Sequence, residues 1–153
     1  MDNLFKSVDL MEAYKLVTPG MPVFIATKGY LENLYNITPI GWVCPMDYEP
    51  VTKIMFSVDP KHQCAANIKR TEEFAVCIPS NKDDPIIEKC GSISSADADK
   101  FARFGITGSK AESINVMIPK ENVSSWIEMR LIRIIEEGSV EVFMGEAVAA
   151  FSL

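Results

Sequence analysis

Asn33-Leu34-Tyr35-Asn36-Ile37-Thr38-Pro39-Ile40-Gly41-Trp42-Val43-Cys44-Pro45-Met46-Asp47-Tyr48-Glu49-Pro50 is the stretch on which the reading of this chain turns. It opens as a half-apolar strand, then fills with small and hydrogen-bonding residues at Asn36, Thr38 and Gly41, followed by Trp42, a candidate for burial. Pro39 has no N–H to give a central ladder, so the strand must leave the sheet, or lie at its edge, near Thr38. A chain leaving a sheet in this way presents backbone N–H and C=O groups beside hydroxyl and amide side chains. Such a surface suits a flat polar heterocycle. The same features also describe an ordinary strand end with turn chemistry at its prolines.

Downstream, residues 51–58 alternate as a further strand, with Val51, Ile54, Met55 and Phe56 as core candidates. Asp59-Pro60 follows. Asp is a favoured N-cap and Pro is at home at the first helical position, so the pair predicts a helix running to about Arg70. Its first turn carries Lys61 and His62, cations set against the helix macrodipole. A bound anion between the helix start and these side chains accounts for that placement, because free N–H groups with local positive charge hold phosphate. An Asp59 cap with Lys61 pointing into solvent accounts for it equally well. Upstream, residues 21–27 read as a strand with a turn at Lys28-Gly29. Before it, Leu4, Phe5, Val8, Met11 and Tyr14 fall at helical spacing until Thr18-Pro19-Gly20, which predicts an amphipathic helix over residues 4–17 packed on the domain.

Residues 73–79 read as a strand, and Asp84-Pro85 opens a short helix through Cys90 that Gly91 stops. Ser94-Ser95-Ala96-Asp97 resembles a capping box and predicts a helix through Phe104, in which Lys100 reads as a solvated charge. A short strand follows over residues 114–118. Residues 125–135 and 140–151 then form a hairpin around Glu137-Gly138-Ser139, with Glu128, Arg130 and Glu141 opposite the apolar face. Strand runs dominate, so the expected fold is mainly β with short helices, a closed or nearly closed antiparallel barrel of roughly six or seven strands.

The 153 residues suit a single domain, and 48% apolar with 24% charged residues is ordinary for a globular chain. A net charge of -6 argues against general affinity for nucleic acid, whose phosphates would repel it. No basic stretch precedes an apolar core at the N-terminus and no apolar run reaches membrane length, so a cytoplasmic protein is expected. Cys44, Cys64, Cys77 and Cys90 form no C-x-x-C pair, and His62 is the single histidine, so no metal site is expected. Cys64 and His62 lie two residues apart and cannot face each other on a helix, which removes a cysteine–histidine nucleophile.

The order Pro22-Val23, Asn36-Ile37-Thr38, Trp42, Pro50 and Thr71-Glu72-Glu73-Phe74-Ala75-Val76 resembles the flavin-reductase-like, FMN-binding split-barrel family, its flavoredoxin branch fitting best. Gly91-Ser92-Ile93-Ser94, Asp99-Lys100-Phe101 and Phe143-Met144-Gly145-Glu146-Ala147-Val148 continue the match, which runs from about Thr18 to Phe151. The resemblance implies an antiparallel split β-barrel of Greek-key type and FMN bound non-covalently at the interface of a homodimer. Electrons would pass from a reduced nicotinamide (NAD(P)H) or a redox protein through FMN to an acceptor. It further implies cofactor contacts from Asn36, Ile37, Thr38, Pro39, Ile40 and Trp42 to the ring and ribityl chain. The phosphate falls to Lys61, His62 and Cys64, while Asp99, Lys100 and Phe101 lie close to the flavin. No residue is expected to act as a nucleophile. Two departures stand out. Cys64 replaces a usual hydroxyl with a weakly donating thiol, and the chain stops at Leu153 where family members continue, which implies a more open flavin. Two other readings share the fold: an FMN electron carrier with no small-molecule site, and a cofactor-free dimer with an interaction role.

Overall fold

The computed structural model describes residues 4–93 and 99–153. Its strands are Lys6–Ser7 (β1), Val23–Lys28 (β2), Tyr35–Ile40 (β3), Val43–Asp47 (β4), Lys53–Val58 (β5), Glu73–Pro79 (β6), Ser109–Lys110 (β7), Met117–Ile118 (β8), Val123–Glu137 (β9) and Val140–Ser152 (β10). The helices are Gln63–Thr71 (α1), Pro85–Gly91 (α2) and Lys100–Arg103 (α3). One antiparallel sheet runs in the order β3-β2-β6-β9-β10-β5-β4, with β1 added to the end of β10, while β7 and β8 pair apart.

Prolines mark both ends of this path. β3 holds Pro39 opposite Phe24, and β4 holds Pro45 opposite Ile54. Neither residue offers an N–H to a further strand, which favours edge positions for both strands. Only Gly41 and Trp42 separate the end of β3 from the start of β4, a reach of roughly 10 Å. The sheet therefore curls until its two free edges meet at this corner and stays unzipped there. The result is an antiparallel split barrel in which the β3–β4 and β5–β6 connections skip neighbours.

Burial explains why the middle strands read as unbroken apolar runs. Ile25, Phe74, Val76, Ile127, Met129 and Phe143 point into the barrel, where Cys64, Ala65 and Ile68 of α1 meet them. Phe24, Ala75, Cys77 and Trp126 point the other way, under Cys90 of α2 and the 106–118 segment. A strand covered on both faces loses the in–out alternation of a half-exposed one. Inside the barrel, Phe56 stacks on Phe143 at 5.4 Å and meets Phe74 edge-on at 5.3 Å. Gly145 lies beside a register shift in β10, and a methyl group there would come within 2.6 Å of the Phe74 ring and 3.2 Å of the Arg130 carbonyl. Gly145→Ala is therefore expected to cost about 1–3 kcal/mol of unfolding free energy by overpacking. A urea midpoint equal to the wild type's would show that the ring swings aside freely.

Several expectations need correction. Residues 4–17 form no amphipathic helix: Lys6 and Ser7 pair with Ser152 and Phe151, Val8 N–H donates to Ala150 O at 2.8 Å, and only a 3-10 turn, Ala13–Leu16, is helical. The end of β10 needs backbone partners, which an extended segment supplies and a helix does not. Residues 43–47, expected as loop, form β4 despite Pro45, because its other side is a free edge. Trp42 is not buried but 75% exposed. Of the core candidates over residues 51–58, Ile54 and Phe56 are buried, while Met55 and Val51, which precedes β5, are half-buried. Glu128 and Glu141 are buried rather than solvated: loop N–H groups come to the first, and Lys69 pairs with the second at 2.7 Å. The proposed capping box at residues 94–97 lies outside the described residues, and α3 is capped by Asp99.

Candidate functional site

A cleft of about 390 Å³ lies along the free edge of β3. Asn36, Thr38 and Pro39 form one wall, and the lead-in to α1 from Asp59 to Gln63 forms another. The end of α2, residues 90–93, and Lys100 at the head of α3 complete it. A second hollow of about 460 Å³ shares Pro39, Asp59 and His62 and continues past Ile40 and Trp42 to Ser139 and Val140. The two make one trough running from Lys100 to the corner where the barrel splits.

Strand alternation decides which β3 residues serve the cleft. Asn36 and Thr38 point toward α1, whereas the Ile37 side chain sits in the outer core and Ile40 in the inner one. Asn36 is 1% exposed; its Nδ2 donates to Thr38 Oγ1 at 2.9 Å, while its Oδ1 has no partner among the described residues. The Thr38 hydroxyl lies beside the Cys64 sulfur. Ile37 contributes through its backbone, its carbonyl accepting from Lys100 Nζ at 3.0 Å.

The start of α1 differs from the sequence expectation. Asp59 does not cap the helix. Its Oδ1 accepts from Lys61 N–H at 2.9 Å and its carbonyl from His62 N–H at 3.0 Å, closing a separate turn. Pro60 therefore precedes the helix, and His62 takes the extended N-cap position without a side-chain capping bond. Ala65 N–H turns back to the His62 carbonyl at 3.1 Å, while the Gln63 and Cys64 N–H groups meet no capping side-chain oxygen among the described residues. Lys61 and His62 flank this opening, both exposed. Gln63, at the first helical position, is held by Asn67, whose Oδ1 accepts from Gln63 Nε2 at 3.2 Å and whose Nδ2 donates to Thr27 Oγ1 at 3.0 Å.

Lys100 is not a solvated charge. It is 2% exposed, because α3 has only four residues and lays its first side chain back against β3. Burial pulls its ammonium below the usual lysine value, and the nearby Cys90 and Cys64 act weakly the other way. Burial likewise pushes the Cys64 and Cys90 thiols up to about 11 each, so both stay protonated at neutral pH and neither is a nucleophile.

The structure thus gathers Asn36, Thr38, Pro39, Lys61, His62 and Lys100 around one cleft, with Cys64 beneath it and Ile40 and Trp42 along the adjoining hollow. Asp99 instead caps α3 through Ala102 N–H at 3.3 Å, and Phe101 turns to a small separate cavity with Tyr35 and Met117. Asp59, Gln63, Cys90, Gly91, Ser92 and Ile93 were not among the expected site residues. The sequence had marked Asp59 as a helix cap, Gly91 as a helix stop and Gly91-Ser92-Ile93 as part of the family resemblance, without placing any of them at the cleft. The missing side chain of Gly91 also lets α2 approach β3, since a methyl group there would sit 3.1 Å from Pro39 Cγ. Among the described residues, no cluster of His, Cys, Asp and Glu fits a metal ion, and no helix is long and apolar enough to cross a membrane.

Comparison with known proteins adds a lineage to this geometry. The chain is 25% identical over 147 residues to the uncharacterized protein YddH of Escherichia coli K12, covering 95% of this chain and 77% of that one. Its fold superposes on an FMN-binding domain of a flavin reductases-like enzyme from Shewanella baltica OS155 with a TM-score of 0.83, at 22% identity and 99% and 78% coverage of the two chains. It also superposes on flavoredoxin of Desulfovibrio vulgaris (Miyazaki F) with a TM-score of 0.77, at 23% identity and 95% and 76% coverage. At such identities the structural likeness speaks for the fold alone. The model of the flavin reductase like domain, however, matches residues 17–152, nearly the whole chain and every element that builds the cleft, so the protein belongs to the flavin reductase-like domain family.

Proposed function

We propose that this chain binds FMN in the trough along β3 and serves as a flavoredoxin-like oxidoreductase, taking electrons from a reduced nicotinamide or a redox protein and passing them to an acceptor. The observation that carries the reading is the buried Asn36 Oδ1, unpartnered among the described residues, on a side chain that lines a cleft together with a buried lysine and the start of α1. Native chains leave few buried polar groups unsatisfied. FMN matches each in kind: a ring N–H for Asn36, a phosphate for α1 with Lys61 and His62, and an electron-rich ring edge for Lys100. Thr38, whose hydroxyl lies against Cys64, supplies the oxygen donor that position 64 lacks.

FMN, when bound, supplies the redox chemistry itself. The chain would hold the phosphate at α1, seat the ring against Pro39 and Ile40, and set the buried Lys100 amine beside it. Trp42 lines the open trough, and Met46 and Tyr48 are exposed farther along and just beyond β4. A second copy of the chain laid over this edge would cover them and the ring together, and a two-fold pair is the commonest closed assembly.

The test is a fluorescence titration of purified protein with FMN and with riboflavin, followed by light scattering. One FMN per chain, much weaker riboflavin and a dimer are expected. Equal affinities remove the phosphate site, and failure to bind either flavin removes the reading. A monomer carrying its full complement of FMN removes the second copy.

A further inference from the structure

Lys100 carries an inference of its own. Among the described residues its Nζ has one oxygen partner, the Ile37 carbonyl, and no carboxylate forms an ion pair with it. What surrounds it comes from four directions. β3 offers the Asn36 amide and the Thr38 hydroxyl, α1 the Cys64 thiol and α2 the Cys90 thiol, while the α1 lead-in places Asp59, Lys61 and His62 around the same cleft. Asp59 gives an oxygen to Lys61 N–H and Asp99 gives one to Ala102 N–H; neither bonds Lys100. Lys61 and His62 oppose a further cation inside the cleft. A buried amine without an anion is stabler neutral than charged, and burial does pull this one below the ordinary lysine value. Both thiols remain neutral at neutral pH.

We propose that Lys100 is a proton-coupled counter-charge for the reduced cofactor: its amine takes up a proton as bound FMN is reduced, and the ammonium then faces the new negative charge on the ring. This rests on the FMN reading above. Two electrons and one proton convert FMN to its reduced anion, and a second proton from solvent converts the Lys100 amine to ammonium. The electrons come from the reductant, which in the test is dithionite. No other bond at Lys100 forms or breaks. The arrangement raises the reduction potential by placing positive charge where negative charge develops, without a fixed cation that would hold other anions in the oxidised protein.

The test is the midpoint potential of bound FMN followed from pH 7.5 to 10 by dithionite titration. Each proton taken up with two electrons changes the reduction equilibrium tenfold per pH unit, about 30 mV. The wild type is expected to show an interval with a two-proton slope, a hundredfold or about 60 mV per unit. Lys100→Met is expected to hold a one-proton slope throughout, at a lower potential, because reduced FMN stays anionic in this range. Lys100→Arg, permanently charged, is expected to share that slope at a higher potential than Lys100→Met. A one-proton slope everywhere in the wild type, or a two-proton slope in either variant, overturns the proposal. Should Lys100→Met not fold or not bind FMN, the wild type and Lys100→Arg decide it. A wild type that binds no FMN overturns the flavin reading before any potential is measured, and this proposal with it.

Discussion

Glu128→Ala is expected to lower the unfolding free energy by about 3–5 kcal/mol, the loss that follows when a buried charged partner is removed and its donors stay behind. Glu128 lies on β9 and is fully buried. Its Oε2 accepts from Trp126 Nε1 and from Glu112 N–H, both at 2.9 Å, and its Oε1 from Ser113 N–H at 2.6 Å. Alanine leaves all three donors unmatched. It also releases the turn that brings Ile114 and Val116 into the outer core. Glu128→Gln keeps one acceptor but turns an NH₂ toward a donor, so a smaller loss of about 1–3 kcal/mol is expected. Trp126→Phe removes one of the donors, so adding it to Glu128→Ala should cost less than it does in the wild type. Urea unfolding of the four variants measures each step. A loss below about 1 kcal/mol for Glu128→Ala would mean that water reaches the three donors.

The same residue shows where sequence reading stops. β6, the β9–β10 hairpin and α2 were legible because their signals are local: apolar runs, a glycine at positive φ in Gly138, and Asp84 accepting from Ile86 N–H as its position before Pro85 implied. Glu128 in an apolar run reads as the solvated side of a strand. It is buried because residues 112 and 113 arrive from elsewhere with their N–H groups, and no spacing along β9 records that arrival. Lys100 and the 4–17 segment were misread for the same reason, their environments being made by β3 and β10. The cleft was half legible. Pro39 announced an edge and Asp59-Pro60 announced a helix nearby, but the seating of α2 against β3 through Gly91 was not written locally. The anion argument now rests on a changed basis: Lys61 and His62 are not inside the helix but stand before an N-terminus that no side chain caps among the described residues.

That change sharpens the expectation for Lys61. Lys61→Ala should weaken FMN binding by about 1–3 kcal/mol, the scale of a charge-assisted hydrogen bond, and leave riboflavin nearly unchanged because riboflavin has no phosphate. Lys61 is exposed, so salt screens it, and the loss should shrink as ionic strength rises. His62→Ala should act in the same direction, with the first-turn N–H groups of α1 remaining to hold part of the phosphate. Asp59 provides the opposite sign. Its carboxylate lines the same cleft and repels an anion, yet its Oδ1 also closes the turn through Lys61 N–H. Asp59→Asn keeps the acceptor and removes the charge, so it should tighten FMN severalfold and leave riboflavin alone. FMN and riboflavin titrations of the three variants at two salt concentrations separate the possibilities. Equal losses for both ligands at Lys61 would mean that this side chain shapes the turn or the ring pocket. Tightening of riboflavin by Asp59→Asn would mean that the carboxylate faces the ring. Only an effect confined to FMN, positive at residue 59, negative at 61 and 62 and fading with salt, places the phosphate at the open end of α1.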